Sequence, residues 1–411
     1  MKNKSALSDV RVIDLTQMLA GPICTQFLAD QGATVIKVET LKGDDIRRAG
    51  PYRTDDDLQV FGGYFASINR NKSSISVDLK SEAGKELLHR LIAGADILVE
   101  NFRAGVMDRL GFAYETLHEK YPSLVYATVR GFGDPRSGES PYADWPSYDV
   151  VAQGMGGIMS ITGSEQGPPT KVGPGVGDIV PGLMLGVGIL SALHHARRTG
   201  QGQFVDVAMT DGILALCERT VYQKSFENRT PGREGNHHPL LCPFGTFAAA
   251  DGWVSVACPN DSFWAILARV VGREDLVDHP DFATNAARTR NSVAVNGIVH
   301  EFTERHSKAE LIELLGGRIP FGPVFDSHDI FHDEHFRIRD MIVPVEHPGC
   351  KTPVEIAGIP IKMSETPGSI RHRAPILGEH TESIMRDLGY APVEIARLRK
   401  EHIVKSDPPL V

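Results

Sequence analysis

The sequence predicts an α/β protein whose main sheet is parallel and which carries a second, smaller α/β unit. Three observations lead there. Apolar β-like runs alternate with helical stretches over roughly the first hundred residues, the pattern of repeated βαβ units. A Gly-, Pro- and Ser-rich stretch from Gly131 to Gly177 then leads into a strongly apolar run. Finally, a polar loop from Asn228 to Pro239 changes the composition and marks a boundary.

Taken in order, Val10 to Leu15 reads as a strand. Gly21-Pro22 punctuates, Ile23 to Asp30 reads as a helix, and Ala33 to Glu39 is the next strand. Ser74 to Leu79 alternates as a strand does, and Ser81 opens a helix to Ala93 as its cap. Ile97 to Glu100 and Leu124 to Arg130 are further strands, and Gly131 to Gly177 is expected to be long, irregular and functional. Ile179 to Leu193 reads as a buried helix too short to span a bilayer, followed by a strand at Phe204 to Ala208. The boundaries expected are 1–225, 226–329 and 330–411, with one clear helix in the last part at Thr381 to Leu388.

The 411 residues allow two domains, and a composition of 41% hydrophobic and 23% charged residues is that of a globular protein. A net charge of −9 argues against nucleic acid as the main partner. The five cysteines are scattered with no C-x-x-C, which predicts neither a disulfide framework nor a zinc site and fits a reducing cytoplasm. Met-Lys-Asn-Lys-Ser leads into no apolar run, so neither a signal peptide nor a membrane partner is expected.

Several motifs are missing. The first βα turn, Thr16 to Pro22, has no G-x-G-x-x-G, although Glu39 ends the second strand where a ribose-binding acid would sit. There is no P-loop, no G-x-S-x-G and no H-E-x-x-H. His328, His332 and His335 fall at i, i+4 and i+7 beside Asp329, Asp333 and Glu334. On one helix they would form either a metal-binding face or a solvated charged face, and no metal site is expected.

The segment richest in chemistry is Lys171-Val-Gly-Pro-Gly-Val-Gly-Asp178, a glycine-rich turn ending in an aspartate at the mouth of an apolar helix. Asp178 there can simply cap the helix. Equally, the helix terminus can keep its carboxylate ionised while the bare glycines admit a substrate, making it a nucleophile toward an acyl carbon.

At this point the chain resembles the class III CoA-transferases (the CaiB/BaiF type), the family of formyl-CoA transferase, carnitine CoA-transferase and succinate–hydroxymethylglutarate CoA-transferase. The resemblance rests on Val12-Ile-Asp-Leu-Thr16 with Ala20-Gly-Pro22, Gly32 to Glu39, Asn69-Arg-Asn-Lys72 leading to Val77-Asp-Leu-Lys80, and Asp96 to Phe102. It continues through Gly131-Phe-Gly133, Tyr148-Asp149, Asp178, Thr199 to Gly202, Asp251-Gly252 and Leu377 to Thr381.

The resemblance implies that Asp178 is the nucleophile of CoA transfer between carboxylic acids, by way of mixed anhydrides and an aspartyl-CoA thioester. It places Leu19 and Ala20 beside the pantetheine, and Val77, Asp78, Leu79 and Lys80 at the adenine and ribose. Asn101, Phe102 and Arg103 would flank the nucleotide, Arg109 would pair with phosphate, and Tyr148 would lie near the thioester. Coenzyme A is then a substrate, and no tightly bound cofactor is expected. The loop from Gly232 to Pro239 corresponds to a glycine-rich lid in formyl-CoA transferase.

Two departures stand out. Thr40 replaces an arginine common after the second strand, with Lys42 as a substitute, and Leu19 stands where formyl-CoA transferase has a glutamine, which argues against oxalate or formate. Arg47, Arg48 and Arg53 offer a site for a distal carboxylate, with an exposed basic loop as the alternative, and succinyl-CoA is the expected donor. The fold also hosts α-methylacyl-CoA racemases, the alternative reading, but their histidine base is Tyr148 here, a poor base at neutral pH. By resemblance the large domain is Rossmann-like, built from the N-terminal half and the C-terminal tail around the inserted small domain, and two chains interlock as a homodimer.

Overall fold

A computed structural model describes residues 5–406. The chain divides into two compact units. One comprises residues up to Ile158, Val172–Tyr222 and everything from Glu334 on; the other is Met159–Lys171 with Gln223–Asp333.

The larger unit is built on a seven-stranded sheet. Its strands are β1 (Arg11–Asp14), β2 (Thr34–Glu39), β3 (Lys72–Val77), β4 (Ile97–Glu100), β5 (Val125–Arg130) and β6 (Phe204–Ala208). The smaller unit contributes β7 (Phe244–Ala249), β8 (Gly252–Ala257) and β9 (Phe321–Pro323), and the chain returns to the larger unit with β10 (Ile342–Val345), β11 (Val354–Ala357) and β12 (Val404–Lys405). The sheet runs β12-β3-β2-β1-β4-β5-β6, with every pairing parallel except β12 against β3. The strand order reverses between β1 and β4, and the crevice beyond the carboxyl ends of those strands is where open α/β sheets bind ligands. The loops that matter below, 15–19 and 101–105, leave from there.

Each face of the sheet is covered for identifiable reasons. Helix Glu82–Ala93 starts where the Ser81 hydroxyl accepts the Gly84 amide at 3.0 Å, a cap that contributes about 1 kcal/mol. It buries Leu87, Leu88, Leu91 and Ile92, a stripe of helical period in which each side chain contributes roughly 1.5–3 kcal/mol. Ile384, Met385, Ile395 and Leu398 from helices Thr381–Asp387 and Pro392–Lys400 complete the same core. The opposite layer is formed by helices Ala20–Asp30 and Val176–Thr199. A side chain at Gly182 would meet the Ala20 carbonyl oxygen at 2.4 Å, so the two helices approach as closely as they do only because that position is bare.

Two expectations are corrected here. The apolar helix begins at Val176 and continues to Thr199, 24 residues, long and apolar enough by length and composition to cross a membrane. It outruns its apolar stretch because His194 to Thr199 continue the helix until Gly200, left-handed at φ 75°, stops it. The region 131–177 is less irregular than its composition suggests, since Asp149–Met155 and Ile158–Ile161 are helical.

In the smaller unit β7, β8 and β9 form an antiparallel sheet. Its core gathers Val254, Trp264, Leu267, Val295, Val299, Leu311 and Leu315. His328 and His332 lie on helix Ser327–His332, their rings 4.2 Å apart, while Asp333 is extended (φ −72°, ψ 134°) and interrupts the helix. His335 therefore follows on a separate helix, Glu334–Ile338, and the expected continuous i, i+4, i+7 face does not form.

Candidate active site

Three loops meet at the reversal point. After β1, the turn Thr16-Gln17-Met18 is held from below by a lysine with no exposed surface: Lys37 Nζ donates to the Thr16 carbonyl at 2.7 Å and to Asp44 at 3.2 Å. Asp44 in turn accepts the Met18 amide at 3.3 Å from both carboxylate oxygens, and Met18 sits at a positive φ of 65°. After β4, Asn101 grips the same turn with both ends of its amide. Its Oδ1 accepts the Gln17 amide at 2.8 Å, and its Nδ2 donates to the Gln17 carbonyl at 2.7 Å. Arg130, at the end of β5, donates from Nε to the Phe102 carbonyl at 2.9 Å and pairs with Glu100. Buried charges thus fix two backbone turns at the mouth of the sheet.

Asp178 joins them from helix Val176–Thr199, in its first turn rather than as its cap. The cap belongs to Asp149, whose Oδ1 accepts the Gly177 amide at 2.8 Å. Gln153 braces Asp149 from one turn further along: its Nε2 donates to Asp149 Oδ1 at 2.8 Å, and its Oε1 accepts the Val172 amide at 2.9 Å. The glycine-rich turn is pinned by this pair. A side chain at Gly177 would meet the Asp149 carbonyl oxygen at 2.5 Å, so that position has to be bare.

The electrostatic consequence reverses the sequence expectation. Asp178 was expected to be kept ionised by the helix terminus. Burial and the neighbouring Asp149 carboxylate instead push its pKa up to about 7. Desolvation and a like charge outweigh the favourable field of the helix terminus. Tyr64 feels the same pair, its phenol being pushed up by burial and by Asp178 and Asp149.

A cavity of about 210 Å³ opens onto this arrangement, lined among others by Gln17, Asn101, Phe102, Tyr148 and Asp178. Of the residues expected at the site, Ala20, Asn101, Phe102, Arg103, Tyr148 and Asp178 all border it. Tyr148 is 59% exposed. Leu19 is buried as the residue preceding helix Ala20–Asp30. Val77 is a core residue whose strand pairs with Val404, so its side chain is committed inward. Asp78 accepts the Lys80 amide at 3.0 Å, Leu79 packs against the main core, and Lys80 and Arg109 are exposed, Arg109 on helix Val106–Leu110. Leu19, Val77, Asp78, Leu79, Lys80 and Arg109, six in all, do not line the cavity.

The arginine cluster proposed for a distal carboxylate is corrected. Arg47 is buried and held by Glu39, Nη2 to Oε1 at 2.6 Å and Nε to Oε2 at 2.8 Å. It also donates to the Pro375 carbonyl at 2.8 Å, while Arg53 pairs with Asp55 at 2.8 Å. Gln17, Arg130 and Asp149 were not singled out as site residues. Asp149 stood in a recognisable motif, but its contact spans 28 positions of sequence, which no local pattern reveals.

Comparison with known proteins places the chain in a family. The chain is 47% identical over 385 residues to a succinyl-CoA:mesaconate CoA-transferase of Haloarcula hispanica, covering 93% of this chain and 96% of that one. It is 36% identical over 395 residues to a succinate–glutarate CoA-transferase of Agrobacterium fabrum, covering 94% and 96%. A crystal structure of a CaiB/BaiF family protein from Brucella suis superposes with a TM-score of 0.82 at 36% identity, over 94% of this chain and 100% of that one. Residues 7–381 match the family described as CoA-transferase family III, and the chain belongs to that family.

Proposed function

We propose that this enzyme moves coenzyme A from succinyl-CoA to a second carboxylic acid, with Asp178 as the covalent nucleophile. The observation that carries the reading is the place of Asp178: a carboxylate on the wall of a cavity, in the first turn of a long helix. Succinyl-CoA as donor and a dicarboxylic acceptor of the mesaconate or glutarate kind follow from the names of the similar transferases.

In the proposed route the ionised Asp178 attacks the donor acyl carbon, and the C–S bond breaks to release CoA thiolate and leave a mixed anhydride. The thiolate then attacks the Asp178 carbonyl, freeing succinate and giving an aspartyl-CoA thioester. The acceptor carboxylate attacks that thioester to form a second anhydride and the thiolate again. Attack of the thiolate on the acceptor carbonyl yields the new acyl-CoA and restores Asp178. Every step exchanges one acyl bond for another, so no outside energy source enters, and water must be excluded to protect the intermediates. A pKa near 7 serves this role, since a more basic carboxylate is the better nucleophile yet remains substantially ionised at neutral pH.

Ala20, Asn101, Phe102, Arg103 and Tyr148 are the proposed contacts along the pantetheine and thioester, with Lys80 and Arg109 available as cations for phosphate. Val77, Asp78, Leu79 and Leu19 would act through backbone position. The exposed apolar residues Leu183, Val187 and Leu190 fall on one face of helix Val176–Thr199, which supports a homodimer in which a second copy covers them. The scattered thiols, all free, suit a reducing cytoplasm.

Incubation with succinyl-CoA and a pool of mono- and dicarboxylic acids, with hydroxylamine as trap, tests the reading by mass spectrometry. A new acyl-CoA together with a hydroxamate at Asp178 is the expected result. Solvent deuterium entering the α-carbon of an acyl-CoA whose CoA never changes acid would instead point to racemisation.

A further inference from the structure

Away from the active site, the segment joining β10 to β11 makes a tight turn at His347-Pro348-Gly349-Cys350, closed by the Cys350 amide donating to the His347 carbonyl at 3.1 Å. Proline at the second position and glycine at the third, with φ 90°, are what such a turn demands. The turn brings His347 and Cys350 together. It also packs on the loop carrying Asp56: the Asp57 amide donates to the Gly349 carbonyl at 3.2 Å, and a side chain on Gly349 would lie 2.3 Å from Asp56 Oδ1.

The donor atoms of Asp56, His347 and Cys350 lie within 4.8 Å of one another. Asp56 Oδ1 is used by the Leu58 and Gln59 amides at 3.1 and 2.8 Å. Its Oδ2 is completely buried with no hydrogen-bond donor, and His347 Nε2, on a side chain only 7% exposed, stands 3.4 Å away without the alignment of a hydrogen bond. A buried carboxylate oxygen left without a donor is costly unless something else satisfies it. A tetrahedral zinc ion with oxygen, nitrogen and sulfur ligands holds its donors about 3.4–3.6 Å apart. The oxygen–nitrogen pair already has that spacing, and the Cys350 sulfur lies within 4.8 Å of both, so a small movement of that partly exposed side chain would match the two remaining edges.

We propose that Asp56, His347 and Cys350 form a binding site for a zinc-type divalent cation, with its fourth position open to water. A thiolate and an imidazole select zinc over magnesium or calcium, which take oxygen donors. None of the three residues borders the active-site cavity. The ion would tie the 53–58 loop to the 347–350 turn, far apart in sequence, and so stabilise the fold by closing a long loop. Motif searching misses such a set, since only the His-x-x-Cys half is local.

The test uses the metal-free full-length protein, titrated with zinc chloride against a chromophoric chelator. One equivalent per chain is expected, bound at least about ten-fold more tightly than by Cys350→Ser or His347→Gln, and zinc should raise the melting temperature of the wild type but not of the variants. Cobalt(II) in place of zinc should show a thiolate-to-metal charge-transfer band that Cys350→Ser lacks. Cys350→Ser is nearly isosteric at a partly exposed position, so it keeps the test decisive if His347→Gln fails to fold. Zinc uptake equal in wild type and Cys350→Ser, or no uptake at all, would overturn the proposal.

Discussion

Asp149 takes the Gly177 amide at 2.8 Å, one residue before Asp178. One carboxylate is spent as a helix cap, and its charge adds to burial in raising the pKa of the other. Asp149→Asn keeps an acceptor for the amide and removes the charge. The acid limb of the kcat/KM–pH profile should move to lower pH by about half a unit to one unit, a difference of roughly 1 kcal/mol between protonation states. An unmoved limb would mean that burial alone sets the Asp178 pKa.

The same shift has a stability cost with a defined sign. Unfolded, an aspartate titrates near 3.8; folded, Asp178 titrates near 7. Below pH 3.8 both states are protonated and no penalty exists. Between the two values the unfolded state ionises first, so stability falls as pH rises, and above pH 7 the penalty is complete. Asp178→Asn should therefore abolish transfer while raising the melting temperature at pH 8, by an amount corresponding to roughly 2–4 kcal/mol after allowance for partial exposure. At pH 4 the variant and the wild type should differ little. Differential scanning calorimetry at the two pH values reads this directly.

Replacing Gly177 by Ala drives a methyl group into the Asp149 backbone. The helix entry must shift, and displacement of a reacting group by about 1 Å costs on the order of 100-fold in rate. Steady-state kinetics should show kcat reduced with the KM for acyl-CoA nearly unchanged.

Asn101→Ala removes both hydrogen bonds to Gln17. At roughly 1 kcal/mol or more for each bond, kcat/KM for the acyl-CoA should fall about 10- to 100-fold. The loss should lie mainly in KM, because the turn borders the cavity rather than carrying the nucleophile.

Lys37→Met would leave Asp44 facing the Met18 amide without its buried counter-charge. Breaking a buried pair on one side costs about 3–5 kcal/mol, which a urea titration would show as a lowered midpoint with an unchanged slope.

The alternation of strand and helix was legible because burial imposes period on apolar side chains, and Ser81 announced its helix by its chemistry. Asp178 was legible because three glycines and a proline preceding an aspartate are unusual. Its raised pKa was not, since it comes from burial in the folded chain and from a carboxylate on another helix. Arg47 looked like a ligand for substrate because its partner Glu39 is separated from it by a turn. Lys37 and Asp14, wholly buried polar residues in strands, are invisible to any reading in which charge means surface.

The edge of the main sheet has a consequence for synthesis. β12 pairs with β3, and the Lys405 carbonyl receives the Thr381 hydroxyl at 2.7 Å. On a ribosome, β1 to β6 emerge long before the strand that covers their exposed edge. The smaller unit, almost continuous in sequence from Gln223 to Asp333, can condense while that edge is still bare. A nascent chain therefore passes through a period in which a parallel sheet presents an unpaired strand, and truncation before residue 404 should make that period permanent, producing aggregates rather than a smaller working enzyme.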